Sequence, residues 1–260
     1  MILVLGGTVE GREIAGMIAG MSCQCLLSVV SAYGAGMVST DPLVEVLVGR
    51  LDESGLRSLF RDRHIRLVID ATHPYAGQIT TAAWKAAREM QVPFIRYHRP
   101  AVAGHPGDSN VYMAQNWEEA ANIAKDLGET IFLTIGSKNL RPFVEMGKKY
   151  GRRIIARVLP EARVLTECNA LGVASKDIIA VQGPFSTEMN MAMLQEYRAE
   201  VLVTKDSGTT GGTDTKLEAA ARLGLRVVVV GRPDYTGVPV TESIPEIIDL
   251  IRKTIGENQR

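Results

Sequence analysis

The chain has 260 residues, 46% of them apolar and 22% charged, an ordinary globular balance with room for one large or two smaller domains. Lys plus Arg and Asp plus Glu are 29 each; this neutral total disfavours a general nucleic-acid binder, which needs a basic excess against phosphates, but leaves room for a local basic cleft. No apolar run approaches the roughly 20 residues of a membrane span, and Gly6-Gly7 break the apolar start with no basic segment before it, which argues against a signal peptide. In chain order, apolar runs at 2–5, 25–31, 43–48, 67–70, 94–97, 111–113, 130–134, 154–157, 178–181, 201–204 and 226–230 read as strands. Amphipathic stretches at 10–21, 53–63, 75–90, 117–127, 188–197, 216–223 and 245–254 read as helices. Strand–helix alternation predicts α/β architecture, and so many strands fit two Rossmann-like domains with parallel sheets and an inter-domain cleft better than one sheet. The Pro- and Gly-rich stretch 99–110, RPAVAGHPGDSN, sets the boundary. It predicts an N-terminal domain over 1–98 and a C-terminal domain over 99–260, with the helix at 245–254 able to pack on either.

In open α/β sheets ligands bind beyond the carboxyl ends of the strands, so the residues after each strand carry the functional signal. The first strand runs into Gly6-Gly7-Thr8-Val9-Glu10-Gly11, a tight turn before a helix start that offers N–H groups to an anion. Gly6 and Gly11 hold the outer positions of G-x-G-x-x-G, with Thr8 at the middle; an ordinary βα turn would look similar. The second strand ends without the acid that holds a ribose 2′-OH, and Ser28, Ser31 and Tyr33 could instead accommodate a 2′-phosphate, which leans towards NADP. The fourth ends in Asp70-Ala71-Thr72-His73-Pro74-Tyr75. Thr72 or His73 can cap a helix carrying Pro74 in its first turn, but capping does not explain His73 and Tyr75 beside Asp70. Ser137 and Lys138 sit in another small turn after a strand. The richest segment, 203–218, reads VTKDSGTTGGTDTKLE. Thr215 and Glu218 have capping-box spacing, while three glycines flanked by Lys205 and Lys216 suggest an N–H nest for phosphate or carboxylate.

The histidines, His64, His73, His98 and His105, lack metal-ligand spacing, so no metal is expected. Cys23, Cys25 and Cys168 form no disulfide framework and suit idle thiols in a reducing, cytoplasmic setting. No nucleophile elbow or Cys/His pairing points to covalent catalysis.

Taken together, ILVLGGTVEGREIA, VIDATHPYA, IRYHRP, LTIGSKNL and VTKDSGTTGGTDTKLEAA followed by VVVVGRP resemble the precorrin-6A reductases of corrin (vitamin B12) biosynthesis. The segments occur in order over nearly the whole chain, and the last is the most specific. The resemblance implies a two-domain Rossmann-like fold and NADPH-dependent reduction of a double bond in precorrin-6A, or its cobalt form, by direct hydride transfer. It implies that Gly6, Gly7, Thr8, Gly11, Ser31 and Thr72 bind the dinucleotide, with Ser207, Gly208, Gly211, Gly212 and Thr213 closing over it. Arg99, Ser137, Lys138 and Lys216 would meet the acetate and propionate arms of this tetrapyrrole. His73, Tyr75, Lys205 and Asp206 are the candidate proton donors, unranked. NADH in place of NADPH, a reductase of a smaller substrate, and a non-catalytic dinucleotide-sensing module remain open, and the oligomeric state is not legible.

Overall fold

The computed structural model describes residues 1–38, 41–99, 109–208 and 211–256. Along the chain run β1 (Ile2–Leu5), α1 (Val9–Gly20), β2 (Cys25–Val29), α2 (Ala32–Gly36), β3 (Val44–Val48), α3 (Glu53–Asp62), β4 (Leu67–Asp70), α4 (Gly77–Glu89) and β5 (Phe94–Tyr97). Then follow β6 (Val111–Ala114), α5 (Trp117–Leu127), β7 (Thr130–Leu133), α6 (Arg141–Tyr150), β8 (Arg153–Val158), α7 (Ala162–Leu171), β9 (Ile178–Ala180), α8 (Thr187–Glu196), β10 (Val201–Lys205), α9 (Thr213–Arg222) and β11 (Arg226–Val230). The chain ends with β12 (Val240–Thr241) and α10 (Ile244–Gly256).

These elements form two compact units, Met1–Pro100 with Asp234–Arg260, and Ala101–Pro233. Each holds a six-stranded sheet, ordered β12-β5-β4-β1-β2-β3 in the first and β6-β11-β10-β7-β8-β9 in the second. Every described strand pair is parallel. The fold is therefore α/β, with two Rossmann-like units. Strand order reverses between β1 and β4 in one sheet and between β7 and β10 in the other, and the carboxyl ends of these four strands are the places a ligand would meet each unit.

The strands are apolar on both faces because helices cover both. In β1, Ile2 and Val4 pack with Ile14 of α1 and Ile247 and Ile251 of α10. Leu3 and Leu5 turn to the opposite face, against Leu56 and Phe60 of α3 and Ala83, Ala86 and Ala87 of α4. In β10, Val201 and Val203 join the α5 and α6 side, and Leu202 the α8 and α9 side. Fully burying each such side chain contributes on the order of 1.5–3 kcal/mol. Thr204 is the exception in β10: it is fully buried and its hydroxyl has no partner among the described residues. Thr204→Val keeps the shape and removes the orphaned group, so thermal unfolding should show a gain of about 1 kcal/mol.

Several boundaries differ from the sequence reading. The second unit stops at Pro233, and the return segment, with β12 paired to β5 and α10 in the core of the first unit, belongs to the first. The predicted boundary stretch lies largely outside the described residues, at 100–108. The predicted capping box does not form: α9 begins at Thr213 after Gly212, and Glu218 accepts from Thr187 and Arg222 instead. α6 and α7 were not anticipated.

Candidate functional site

At the end of β1 the chain turns through Gly6-Gly7-Thr8 into α1. Gly7 has φ +97°, a conformation that favours glycine. A Cβ on Gly11 would lie 3.0 Å from the Cα of Gly6, so the helix start reaches the turn only because that side chain is missing. Thr8, in the middle position, is the helix cap: its hydroxyl accepts from the Gly11 N–H at 3.0 Å and donates to the Ala71 carbonyl at 2.7 Å. One side chain thus ties the loop after β1 to the loop after β4. Ser31 similarly caps α2, accepting from the Gly34 N–H at 3.3 Å. Arg99, predicted to meet substrate, pairs at 2.9 Å with Glu10 in the first turn of α1.

The loop after β4 rests on a buried polar network. Asp70 and Arg96 are both fully buried and ion-paired. Asp70 also accepts from the Thr72 N–H at 3.0 Å and from the Thr72 and Thr80 hydroxyls, each at 2.7 Å. Arg96 donates onward to the carbonyls of His73 at 3.3 Å and Pro74 at 3.4 Å. Its guanidinium lies 4.6 Å from the centre of the Tyr235 ring, whose hydroxyl donates to the Pro74 carbonyl at 2.6 Å. The expected cap at Thr72 or His73 is corrected by this network. Thr72 is held by Asp70, α4 starts at Gly77, and the N-cap position, Ala76, provides no side-chain bond. His73 Nδ1 accepts from the Tyr75 N–H at 3.3 Å, which leaves the proton of the neutral ring on Nε2. The His73 and Tyr75 rings are 5.8 Å apart.

In the second unit, Lys205 ends β10. The loop that follows bonds to itself: Thr213 accepts from the Ser207 N–H at 3.0 Å and donates to the Lys205 carbonyl at 3.2 Å. The Gly208 N–H donates to Asp206 at 3.2 Å and the Gly211 N–H to the Gly208 carbonyl at 3.1 Å. Of the amides in the expected nest, those of Ser207, Gly208, Gly211 and Thr213 are thus engaged within the turn, with Gly208 and Gly212 at positive φ, while 209–210 lie outside the described residues. Asp206 is locked to Arg232 at 3.0 Å, both nearly buried. After β7, Ser137 donates to Glu167 at 3.3 Å, while Lys138 is exposed.

Lys216, in the first turn of α9, is buried and makes no ion pair or hydrogen bond among the described residues. Burial, then the neighbouring cations Arg157 and Lys205, push its pKa down to about 7, with Asp214 opposing. Arg157, near the end of β8, is pushed down to about 10 by burial.

The structure thus gathers Gly6, Gly7, Thr8, Gly11, Thr72, His73 and Tyr75 around one switch point, and Lys205, Asp206, Ser207, Gly208, Gly211, Gly212, Thr213 and Lys216 around the carboxyl end of β10 in the other unit. Sequence reading missed Tyr235 and Arg157. Arg157 left a usable signal, an isolated charge in the apolar run IIARV at a strand end; Tyr235 left none, since it acts from the return segment.

The chain matches the family model "Precorrin-6x reductase CbiJ/CobK" over residues 1–252. It is 34% identical to the cobalt-precorrin-6A reductase of Priestia megaterium, covering 96% of this chain and 98% of that one. It is 32% identical to the precorrin-6A reductase of Rhodococcus erythropolis, with coverage of 96% and 95%. In structure it resembles "CobK precorrin-6A reductase", with TM-score 0.79, 24% identity and coverage of 97% and 96%, a likeness of fold. The glycine turn, the THPY loop and the KDSG loop thus lie within a match running almost from end to end, and the chain belongs to the precorrin-6x reductase family, a reductase of cobalamin biosynthesis.

Proposed function

We propose that this protein reduces one double bond of the precorrin-6A macrocycle, or of its cobalt form, using NADPH, in the cytoplasm. The observation that carries the reading is the turn after β1: Gly7 has open space where a Cβ would stand, and the turn leads directly into the N-terminus of a twelve-residue helix. These residues fit a dinucleotide phosphate. The nearby Glu10 would repel a phosphate, and its pairing with Arg99 offsets that charge. Bound NADPH supplies the hydride. Gly6, Gly7 and the backbone of Thr8 hold the dinucleotide, and Thr8 keeps the loop carrying Thr72 and His73 in register with that turn.

The second-unit residues take the roles their surroundings allow. Lys205, His73 Nε2 and Tyr75 are the candidate proton donors. Asp206, whose carboxylate is engaged by Arg232 and Gly208, anchors the loop. Ser207, Gly208, Gly211, Gly212 and Thr213 shape the turn that presents Lys205, and Lys138 and Lys216 meet acidic arms of the substrate. Ser137 contributes through its turn, since its hydroxyl faces Glu167. Among the described residues no helix is long and apolar enough to cross a membrane.

The decisive experiment is anaerobic incubation with precorrin-6A and, separately, its cobalt form, with NADPH or NADH, following macrocycle and nicotinamide absorbance. Coupled changes in both spectra support the reading; nicotinamide binding without turnover indicates a sensing module. Thr8→Val should lower stability by about 1 kcal/mol through the lost cap. It should also raise the KM for NADPH about tenfold, the equivalent of a further 1.4 kcal/mol in binding.

A further inference from the structure

Two cations, Lys216 and Arg157, gather near the carboxyl edge of the second sheet, and neither makes an ion pair among the described residues. Lys216 is 7% exposed and has no partner among the described residues. Arg157 reaches the same place from β8, and its contacts are neutral: Asn190 Oδ1 at 2.8 Å, the Met193 sulfur at 3.7 Å and the face of Phe185, 5.0 Å from the ring centre. Asn190 in turn donates to the Thr215 hydroxyl at 3.4 Å, linking Arg157 to the helix turn that carries Lys216. A buried cation without an ion-pair partner is costly, and here the buried Lys216 has the half-buried Arg157 as a charged neighbour. We propose that Arg157 and Lys216 form an oxyanion pocket that takes one phosphate or carboxylate group of a ligand, with the Phe185 ring as its apolar wall. As a deepening of the function proposed above, the group belongs either to the dinucleotide or to an arm of the macrocycle.

The charged neighbours agree with a site for an anion. Arg157 and Lys205 push the Lys216 amine towards its neutral form, and only Asp214 opposes them. Below about pH 7 the folded chain carries the full cost of the buried ammonium, and that cost fades as pH rises towards the ordinary lysine value of 10.5. Lys216→Met should therefore raise Tm, more at pH 6.5 than at pH 9.5, while weakening binding. A purely structural lysine would show the opposite sign of stability change.

The test compares wild type with Lys216→Met, Arg157→Met and the exposed control Lys149→Met at pH 6.5. The probes are NADP+, uroporphyrin (a stable tetrapyrrole with acetate and propionate arms) and inorganic phosphate. Both pocket variants should bind NADP+ or uroporphyrin at least tenfold more weakly, and the control should bind like wild type. A loss confined to NADP+ identifies a phosphate group, and a loss confined to uroporphyrin identifies a carboxylate. Inorganic phosphate should raise the Tm of wild type and not of Lys216→Met, an arm independent of the proposed reaction. If wild type binds neither large probe but shows this phosphate effect, the pocket stands and the proposed function falls. Lys216→Met that binds all three probes as wild type does overturns the pocket, even if Arg157→Met fails to fold.

Discussion

Asp70→Ala should cost about 3–5 kcal/mol of unfolding free energy, because it leaves the Arg96 guanidinium charged, fully buried and without its acid. The loss is a large fraction of the 5–15 kcal/mol that holds a typical domain folded. Both Arg96 and Asp70 are fully buried, so water cannot replace the missing partner. Arg96→Leu should be milder, since Asp70 would keep its bonds from Thr72 and Thr80. The double variant should be less destabilised than the two single losses add up to, the signature of direct coupling. Urea unfolding of the four proteins at pH 7 measures all of this. Equal costs that simply add would mean that the pair does not hold the loop. Because Arg96 also carries the carbonyls of His73 and Pro74, Arg96→Leu should lose activity even where it stays folded.

Lys205→Ala is expected to lower kcat by about 100-fold or more, the scale of a removed proton donor, and to lower turnover more than it lowers stability. Lys205 is only partly buried, and the loop after it takes its shape from the Lys205 carbonyl, Asp206, Gly208 and Thr213. Lys205→Arg separates two roles. Arginine keeps the charge but does not give up a proton near neutral pH, so full rescue would assign Lys205 to charge alone and no rescue to proton delivery. Unchanged turnover in Lys205→Ala would remove it from the reaction.

The strand–helix alternation was readable because parallel strands covered on both faces are nearly continuous apolar runs, as β1 and β11 show. α6 and α7 were not read from the sequence, and a proline stands at the start of each, Pro142 in the first turn of α6 and Pro160 just ahead of α7. In α6 the proline occupies the first turn, where its missing N–H costs nothing. For the candidate site, the glycines and the order of loops were visible. What each polar side chain does was not. Thr8 stood at the middle of a glycine motif and is also a bridge between two loops; Thr72 looked like a cap and belongs to Asp70; the amides of Ser207 and Gly208 looked available and are engaged by the side chains of Thr213 and Asp206. Those outcomes depend on partners distant in the chain, such as Ala71 for Thr8 and Arg96 for Asp70, which spacing does not reveal.

The segment from Asp234 onwards gives the first unit its edge strand, two isoleucines of its core and the tyrosine behind the THPY loop. It follows the whole of the second unit in the chain, so it leaves the ribosome after that unit. During synthesis the first unit must therefore wait, with the flank of β5 bare and the THPY loop lacking one of its supports, while the whole of the second unit is made. A nascent chain stalled just short of Tyr235 would carry every glycine of the β1 turn and still lack the hydroxyl that holds the Pro74 carbonyl.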